Sequence, residues 1–445
     1  MSRFARLCAT ATMAVLFVGG SAAAQLLPSV GLPPVALPVP PGNVPVAGPV
    51  LQDLIGQRDV QQQVIQPTLD TVAGVPQRVA EAGAPTLLEL RRLRLQQLLR
   101  ENRSTLEADE RGQPVRRGIL VAVDPDPISL QLAARAGFRI LAQETNSELG
   151  LRSVQLAVPR GMSAREGLRL LRRAVPQLHA DYDPIFEPAG GSLAPLGAAL
   201  AATATIGGDR AVGMIDGGVA SHPSLAGASI EQNGFAGNPQ ATGHGTAVAS
   251  LLVGSQGTFR GAATGSQLYV ADVYGGNRAA GSATAVTRAL GWLASKHPQV
   301  INVSLVGPSN RLLQRAIQAV QGRGIEVVAA VGNDGPAAPA QYPASYPGVI
   351  AVTGVDRNGR ALPEAGKPVH LDFAAPGADM AAALPGQGYA RVRGTSFAAP
   401  LAAARLLLAG SPQRLGNEAR PGKGRVGRGI VCGDCRIDPK AVRAK

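Results

Sequence analysis

The sequence predicts an α/β chain. A three-layer α/β/α unit with a mostly parallel sheet fills its second half, and a small ferredoxin-like α+β domain precedes it. Two observations lead there. From Ala211 onward, short unbroken apolar runs alternate with helix-like segments, the texture of parallel strands covered by helices on both faces. Between residues 118 and 186 the elements read strand, helix, strand, strand, helix, strand, the βαββαβ order of a split-βαβ fold.

The small domain can be read piece by piece. "GILVAV" (118–123) is a strand. "ISLQLAARAG" is a helix stopped at Gly137. "FRILAQE" and "LRSVQLAV" are two further strands. "SAREGLRLLRRA" is a helix opened by Ser163 with Glu166 three residues on, a capping box. "LHADYDPIF" supplies the last strand. Ahead of this domain, Thr86 and Glu89 make another capping box, and Leu88, Leu95 and Leu99 form one stripe of an amphipathic helix expected to pack on the next domain. Residues 188–205 are rich in Gly and Ala and read as an exposed linker.

In the larger unit, "AVGMID", "QLYVADV", "VINVSL", "IEVVAAVGN" and "GVIAVTGV" are the buried strands. "ATAVTRALGWLAS" and "RLLQRAIQAV" are covering helices. In such folds the chemistry sits at the carboxyl ends of the strands.

Bulk properties narrow the function. The net charge is +13 over 445 residues, but aromatic residues are only 3% and the charge is not striped. Base-stacking platforms are scarce, so nucleic acid is not expected as a partner. "MSRFARLCATATMAVLFVGGSAAAQ" has Arg3 and Arg6, an apolar core and Ala22 and Ala24 before Gln25. That is an export leader, and the mature chain is expected not to insert in a membrane. Residues 27–50 hold eight prolines and read as an extended spacer. Cys432 and Cys435, in "CGDC", form a local disulfide or remain two thiols; no second pair of metal ligands accompanies them.

At the strand ends stand an acid, an imidazole, an amide and a hydroxyl: Asp216 in "VGMIDGG", His244 in "GHGTAVASLL", Asn333 in "VVAAVGNDG" and Ser396 in "RGTSFAAP". Each alone has a plain structural role available, as strand end, helix cap or turn former. Together they meet the needs of nucleophilic acyl transfer. A serine hydroxyl needs a base, histidine titrates near neutrality, and a carboxylate orients the ring. An oxyanion needs donors, which the Asn333 amide and the Ser396 N–H at a helix start can supply.

"GMIDGG", "GHGT" and "GTSFAAP", in that order, resemble the signature blocks of subtilases, the subtilisin-like serine proteases. "VINVSL", "AAVGNDG" and "YPASYPGVIAV" strengthen the likeness over roughly residues 206–410. The resemblance implies Asp216 as orienter, His244 as general base, Ser396 as nucleophile and Asn333 as oxyanion donor. It places Ser304, Leu305 and Val306, with Gly275 and Gly276, along a peptide substrate bound as an added strand, and Gly332 at the base of the first specificity pocket. No cofactor or metal is implied for the chemistry. The implied partners are polypeptide substrates and the chain's own propeptide domain.

Six segments follow: leader 1–24, proline-rich 25–85, amphipathic helix and linker 86–115, propeptide-like domain 116–187, linker with a processing site 188–205, and catalytic domain with a basic tail 206–445. The compartment implied is periplasmic or extracellular. Three departures from the family pattern stand out: Gly217 where Ser or Thr is usual, Val306 where Gly is usual, and a 253–263 loop without calcium ligands. Arg393 and the tail read as solvated charge. Two rivals remain: a protease-fold scaffold with masked or lost catalysis, and an α/β-hydrolase esterase, which would want G-x-S-x-G and a different residue order.

Overall fold

A computed structural model describes residues 86–197, 209–386 and 388–442. The leader and the proline-rich segment lie outside them. Helix α1 (Leu87–Glu101) comes first. Its capping box is present, with Thr86 Oγ1 accepting from the Glu89 N–H and Glu89 accepting from the Thr86 N–H. The buried stripe is Arg91, Leu95 and Leu98, while Leu88 faces outward. The expected leucine stripe is thus rotated, because Arg91 is drawn inward by an acidic partner described below.

The small domain follows: β1 (Leu106–Ala108), β2 (Pro114–Val123), α2 (Pro127–Arg135), β3 (Arg139–Asn146), β4 (Leu151–Ala157), α3 (Ala164–Ala174) and β5 (Ala180–Pro184). Strand β4 lies between β2 and β3, β5 lies along β2, and these neighbours all pair antiparallel. This is the expected βαββαβ arrangement, with β1 added on β2. Its core gathers Leu120, Val154, Leu156, Leu168 and Leu171 between the sheet and the helices. The Ser163–Glu166 capping box opens α3 as expected.

Two short strands come next, β6 (Glu187–Pro188) and β7 (Ser192–Gly197). Residues 188–197 are therefore not an exposed linker. Composition hid this, because their partners are distant strands and not neighbours in sequence.

The large unit carries β8 (Ala211–Asp216), β9 (Ile230–Gly234), α4 (Gly243–Val253), a small hairpin of β10 (Ser255–Gln256) and β11 (Phe259–Arg260), β12 (Gln267–Asp272), α5 (Ala283–Ser295), β13 (Val300–Val303), β14 (Leu305–Val306), α6 (Arg311–Gly322), β15 (Glu326–Ala330), β16 (Ile350–Val355), β17 (Phe373–Pro376), β18 (Met380–Ala383), β19 (Tyr389–Arg393), α7 (Thr395–Ala409) and α8 (Pro412–Glu418). Seven strands run in the order β17-β16-β15-β13-β8-β12-β9, all parallel. Two large apolar clusters lie on the two faces, one with α4 and α7, the other with α5 and α6. The three-layer expectation holds.

Helix α7 runs through the core. Ala398, Ala399, Ala402, Ala403 and Ala404 are all fully buried. Their small side chains let the helix axis approach the sheet and α4 closely, at the dense packing usual for interiors.

The basic tail keeps most of its charges at the surface, Arg414, Arg420, Lys423, Arg425, Arg428 and Lys440 among them, but is anchored from beneath. Leu415, Val431, Cys432, Ile437 and Val442 join the core of the large unit. Arg436 donates to the Ala378, Val355 and Asp356 carbonyls, and Arg428 lies over the Phe373 ring at 4.6 Å. Apolar residues spaced between the charges anchor it. Cys432 and Cys435 are disulfide-bonded.

Candidate active site

The strand-and-helix plan brings the four singled-out groups to one end of the parallel sheet. Asp216 is the last residue of β8, His244 the second residue of α4, and Ser396 the second residue of α7. Asn333 stands just after β15. Asp216 and Ser396 are fully buried, while the His244 and Asn333 side chains are half-buried.

His244 Nδ1 lies 2.9 Å from both carboxylate oxygens of Asp216. The Gly217 N–H donates to Asp216 Oδ1 at 2.7 Å. These contacts set the ring with Nδ1 toward the acid. Its Nε2 is buried and has no hydrogen-bond partner among the described residues. Phe397 packs against the ring, with centroids 5.3 Å apart. Burial pushes the hydroxyl of the nearby Tyr274 well above its ordinary pKa, and the Asp216 charge adds to this, so that tyrosine stays neutral.

Gly217 departs from the family pattern for a local reason. A Cβ there would fall 2.5 Å from Thr242 Oγ1. Thr242 fills that space and caps α4, accepting from the Gly245 N–H at 2.9 Å.

Asn333 is tied at both ends of its amide. Oδ1 accepts from the Thr395 N–H at 3.0 Å. Nδ2 donates to the Ala189 carbonyl at 2.6 Å and to the Gly190 carbonyl at 2.8 Å. Ser396 Oγ donates to the same Gly190 carbonyl at 2.7 Å. Gly394 permits this approach: its φ is +144°, and a Cβ there would lie 2.8 Å from the Gly190 oxygen.

Residues 185–191 thus occupy the cleft, paired as a strand at Glu187–Pro188 and leaving extended geometry at Gly190, whose φ is +78°. Strand β6 pairs antiparallel with β14, Leu305 opposite Pro188 and Val306 opposite Glu187. The Ala189 N–H donates to the Ser304 carbonyl at 2.9 Å. On the other flank the Phe186 N–H donates to the Gly281 carbonyl at 2.7 Å, and Ile185 bridges Ser282. Phe186 is fully buried in a socket floored by Gly281 and Gly307, where any Cβ would strike it or Tyr274.

Of the residues singled out in sequence, Ser304, Leu305 and Val306 lie along this strand. Gly332 lies beside Val306, close enough that a Cβ on it would be 3.5 Å from Val306 Cγ1. Gly275 and Gly276 lie in the turn after β12, against Ala236 and Gln240; the residue that accepts the Phe186 N–H is Gly281. Arg393 is not a free surface charge, since its Nη2 donates to Glu364 at 3.0 Å.

Three supporting contacts had no sequence signal, two of them made by the residues Thr395 and Asp272 that the sequence did not single out. Thr395 Oγ1 accepts from the Gly332 N–H at 3.1 Å. Ser304 Oγ donates to the Ser396 carbonyl at 3.0 Å and accepts from Asn302 at the same distance. Asp272, at the end of β12, accepts from the Tyr274 and Gln240 N–H groups at 2.8 Å each. A bare Thr, Ser or Asp at a strand or helix end does not announce such a contact.

An acid-bound imidazole, a buried helix-start serine and an anchored amide form the equipment of serine-type acyl transfer. A sequence profile of the subtilase family matches residues 207–415. Subtilisin Savinase of Lederbergia lenta is 34% identical over 195 residues, which cover 42% of this chain and 71% of that protein. The alkaline protease of Alkalihalobacillus alcalophilus is 34% identical over the same length, and the match spans half of that relative. In three dimensions the fold is similar to fervidolysin from Fervidobacterium pennivorans, a keratinolytic enzyme related to subtilisin. The TM-score is 0.61 at 19% identity, covering 76% of this chain and 62% of that one. The chain belongs to the subtilase family of serine-type endopeptidases. No helix among the described residues is long and apolar enough to cross a membrane.

Proposed function

We propose that the chain is an exported serine endopeptidase made as a precursor, and that it cuts itself between Ala189 and Gly191. In this reading residues 116–187 are the propeptide domain. The observation that carries it is the segment 185–191. It lies where an added substrate strand lies, with two successive carbonyls on the Asn333 amide and one on Ser396 Oγ.

The chemistry needs only this chain's groups. The Ser396 hydroxyl turns from Gly190 to the open Nε2 of His244. It passes its proton there as Oγ attacks the carbonyl carbon. The ring becomes imidazolium and is held by Asp216. The oxyanion takes the Asn333 Nδ2–H and the Ser396 N–H. The imidazolium then gives the proton to the departing amine, leaving an acyl-enzyme that water hydrolyses by the same steps.

The last strand rung, Ala189 on Ser304, and the shorter Asn333 contact favour the Ala189–Gly190 bond. The Ser396 contact to Gly190 favours the next one. Export rests on the leader pattern of residues 1–24, and the substrates are polypeptides bound as an added strand.

The test is the fate of the purified full chain. Wild type should shift to a smaller band whose N-terminus, by mass spectrometry, is Gly190 or Gly191, and it should label with a fluorophosphonate. Ser396→Ala should stay whole. A wild-type chain that never shifts and never labels would overturn the protease reading in favour of a scaffold. A mature N-terminus elsewhere would overturn the assigned cut.

A further inference from the structure

Helix α1 is not part of the βαββαβ fold, yet it closes on the cleft. Arg91 Nε lies 3.0 Å from Asp334 Oδ2, and its Nη2 donates to Gln113 Oε1 at 2.8 Å. Arg94 Nη2 lies 2.9 Å from Asp334 Oδ1, and its Nε lies 3.3 Å from Glu187 Oε2. Asp334 directly follows the oxyanion candidate Asn333, and Glu187 belongs to the cleft strand β6. One guanidinium therefore joins an acid of the large unit to an acid of the strand in the cleft.

The acids are well enclosed. Asp334 and Glu187 are each 7% exposed and Arg91 is 9% exposed. The other oxygen of Glu187 has a second partner, Arg278, at 3.6 Å, with half of that side chain in solvent. Apolar contacts complete the attachment. Leu98 of α1 packs with Leu106, Ile185 of the cleft segment and Ala279 of the large unit. Leu87 lies over Gly335, where an added Cβ would meet it at 3.0 Å.

Two carboxylates that share one guanidinium are near neighbours. Remove the arginines and they are left as like charges in a poorly hydrated place, which is costly. Self-cleavage sharpens this, because the cut strand gains a third carboxylate, its own new C-terminus, two or three residues beyond Glu187. The arginines of α1 thus matter most after the bond is broken.

We propose that helix α1 is an electrostatic strap over the cleft, in which Arg91 and Arg94 hold β6 against Asp334 and so set how long the cut precursor stays inhibited. With the strap in place, Glu187 is attracted to the cleft rim through Arg94. With the strap lost, whether by salt or by trimming of the helix, the same rim repels it. The role of the strap after the cut rests on the self-cleavage reading above; its hold on the cleft strand does not.

The test uses the full chain carrying Arg91→Gln and Arg94→Gln together. Wild type should show a lag between the band shift and hydrolysis of a small chromogenic peptide. The double variant should shorten that lag about tenfold or more, since it uncovers two enclosed acids. Raising salt from ~10 mM to ~1 M should shorten the wild-type lag and leave that of the variant unchanged or longer, because salt also screens the repulsion the variant uncovers. Arg91→Lys with Arg94→Lys keeps the charge but not the fork that reaches two partners at once, and should restore part of the lag, leaving it longer than in the Gln variant and shorter than in wild type. Equal lags with equal salt responses in wild type and the Gln variant would overturn the strap.

A second measurement needs no catalysis. In Ser396→Ala, the Phe186 and Ala189 amides, bonded to Gly281 and Ser304, should exchange with deuterium about tenfold or more faster once both arginines are Gln. Unchanged exchange would overturn the proposal even in a chain that never cuts itself. A wild type that never shifts is instead a failure of the protease reading.

Discussion

Replacing Thr395 by Val tests whether the Asn333 amide, the proposed oxyanion donor, is held by the architecture behind it. The two side chains match in shape, so the change deletes one oxygen. That oxygen accepts the Gly332 N–H at 3.1 Å, and Thr395 is fully buried. Water cannot take its place without opening the start of α7. The stranded N–H then costs about 1–3 kcal/mol. Gly332 immediately precedes Asn333, and Thr395 also donates its own N–H to Asn333 Oδ1 at 3.0 Å. Any movement of the Gly332 peptide therefore reaches the amide that faces the Ala189 carbonyl. If the loop shifts to find a new partner, the loss falls on turnover, about 5- to 150-fold in kcat with KM little changed. If the loop stays, the loss appears as stability, about 2–4 °C of Tm for each kcal/mol in a unit of this size. Active-site titration followed by peptide hydrolysis measures the first, and calorimetry of the Ser396→Ala form measures the second. A variant with unaltered kcat and unaltered Tm would refute the claim that this hydroxyl braces the site.

Asn333→Ala should lower kcat about a hundred- to a thousandfold, the usual loss when one oxyanion donor is removed; a loss under about threefold in steady-state hydrolysis would remove Asn333 from the mechanism. Asp183 is fully buried where β5 meets α5, accepting from the Thr284 N–H at 3.0 Å, with Arg116 at 3.4 Å. Burial pushes its carboxyl above the usual range against the pull of Arg116 and Thr284. With the folded value raised, the stabilising contribution is present at low pH and is lost as pH rises through that value. Asp183→Asn, which keeps an acceptor for Thr284, should therefore gain on its parent from about pH 4 to pH 7 in thermal unfolding of the Ser396→Ala precursor. A gain in the opposite direction would show that the Arg116 and Thr284 contacts outweigh burial.

What the letters disclosed and what they hid divide along a physical line. The parallel sheet was legible because its strands are apolar on both faces and so appear as unbroken runs such as "IEVVAAV". The small domain was legible because Gly137 stops its first helix, the Ser163–Glu166 capping box opens its second, and its strands are long; the Asp126 cap of the first helix was not part of that signal. The convergence of Asp216, His244, Asn333 and Ser396 was legible because strand ends in such folds meet at one edge. Contacts between distant residues of ordinary type were not legible. Nothing near Arg91 says that its partner is Asp334, 243 residues away, so an apolar stripe through Leu88 was the natural reading. Nothing in "EPAGGSLAP" says that it pairs with "LV" and "YARVR", because strand addition uses backbone groups that every residue carries. The tail's charges are solvated as their density suggests, yet isolated Leu, Val and Ile residues between them are buried and anchor it.

Under the proposed self-cleavage, that backbone-only recognition makes cutting and release separate events. The rungs that present residues 185–189 to Ser396 are main-chain hydrogen bonds to Ser304, Val306 and Gly281. None of them requires the bond after Ala189 or Gly190 to be intact. Phe186 stays in its socket whether or not the chain continues beyond the cut. The small domain holds independently of the cleft: Asp183 on the start of α5, and the Tyr182 carbonyl on Asn310 at the start of α6. Breaking one peptide bond removes covalent continuity but hardly any of this interface. In the proposed self-cleavage the cut chain therefore remains its own inhibitor until something weakens several contacts at once. The Arg91 and Arg94 cluster, the proposed strap, is where salt or trimming would act on the cleft strand and on the loop of Asn333 and Asp334 together.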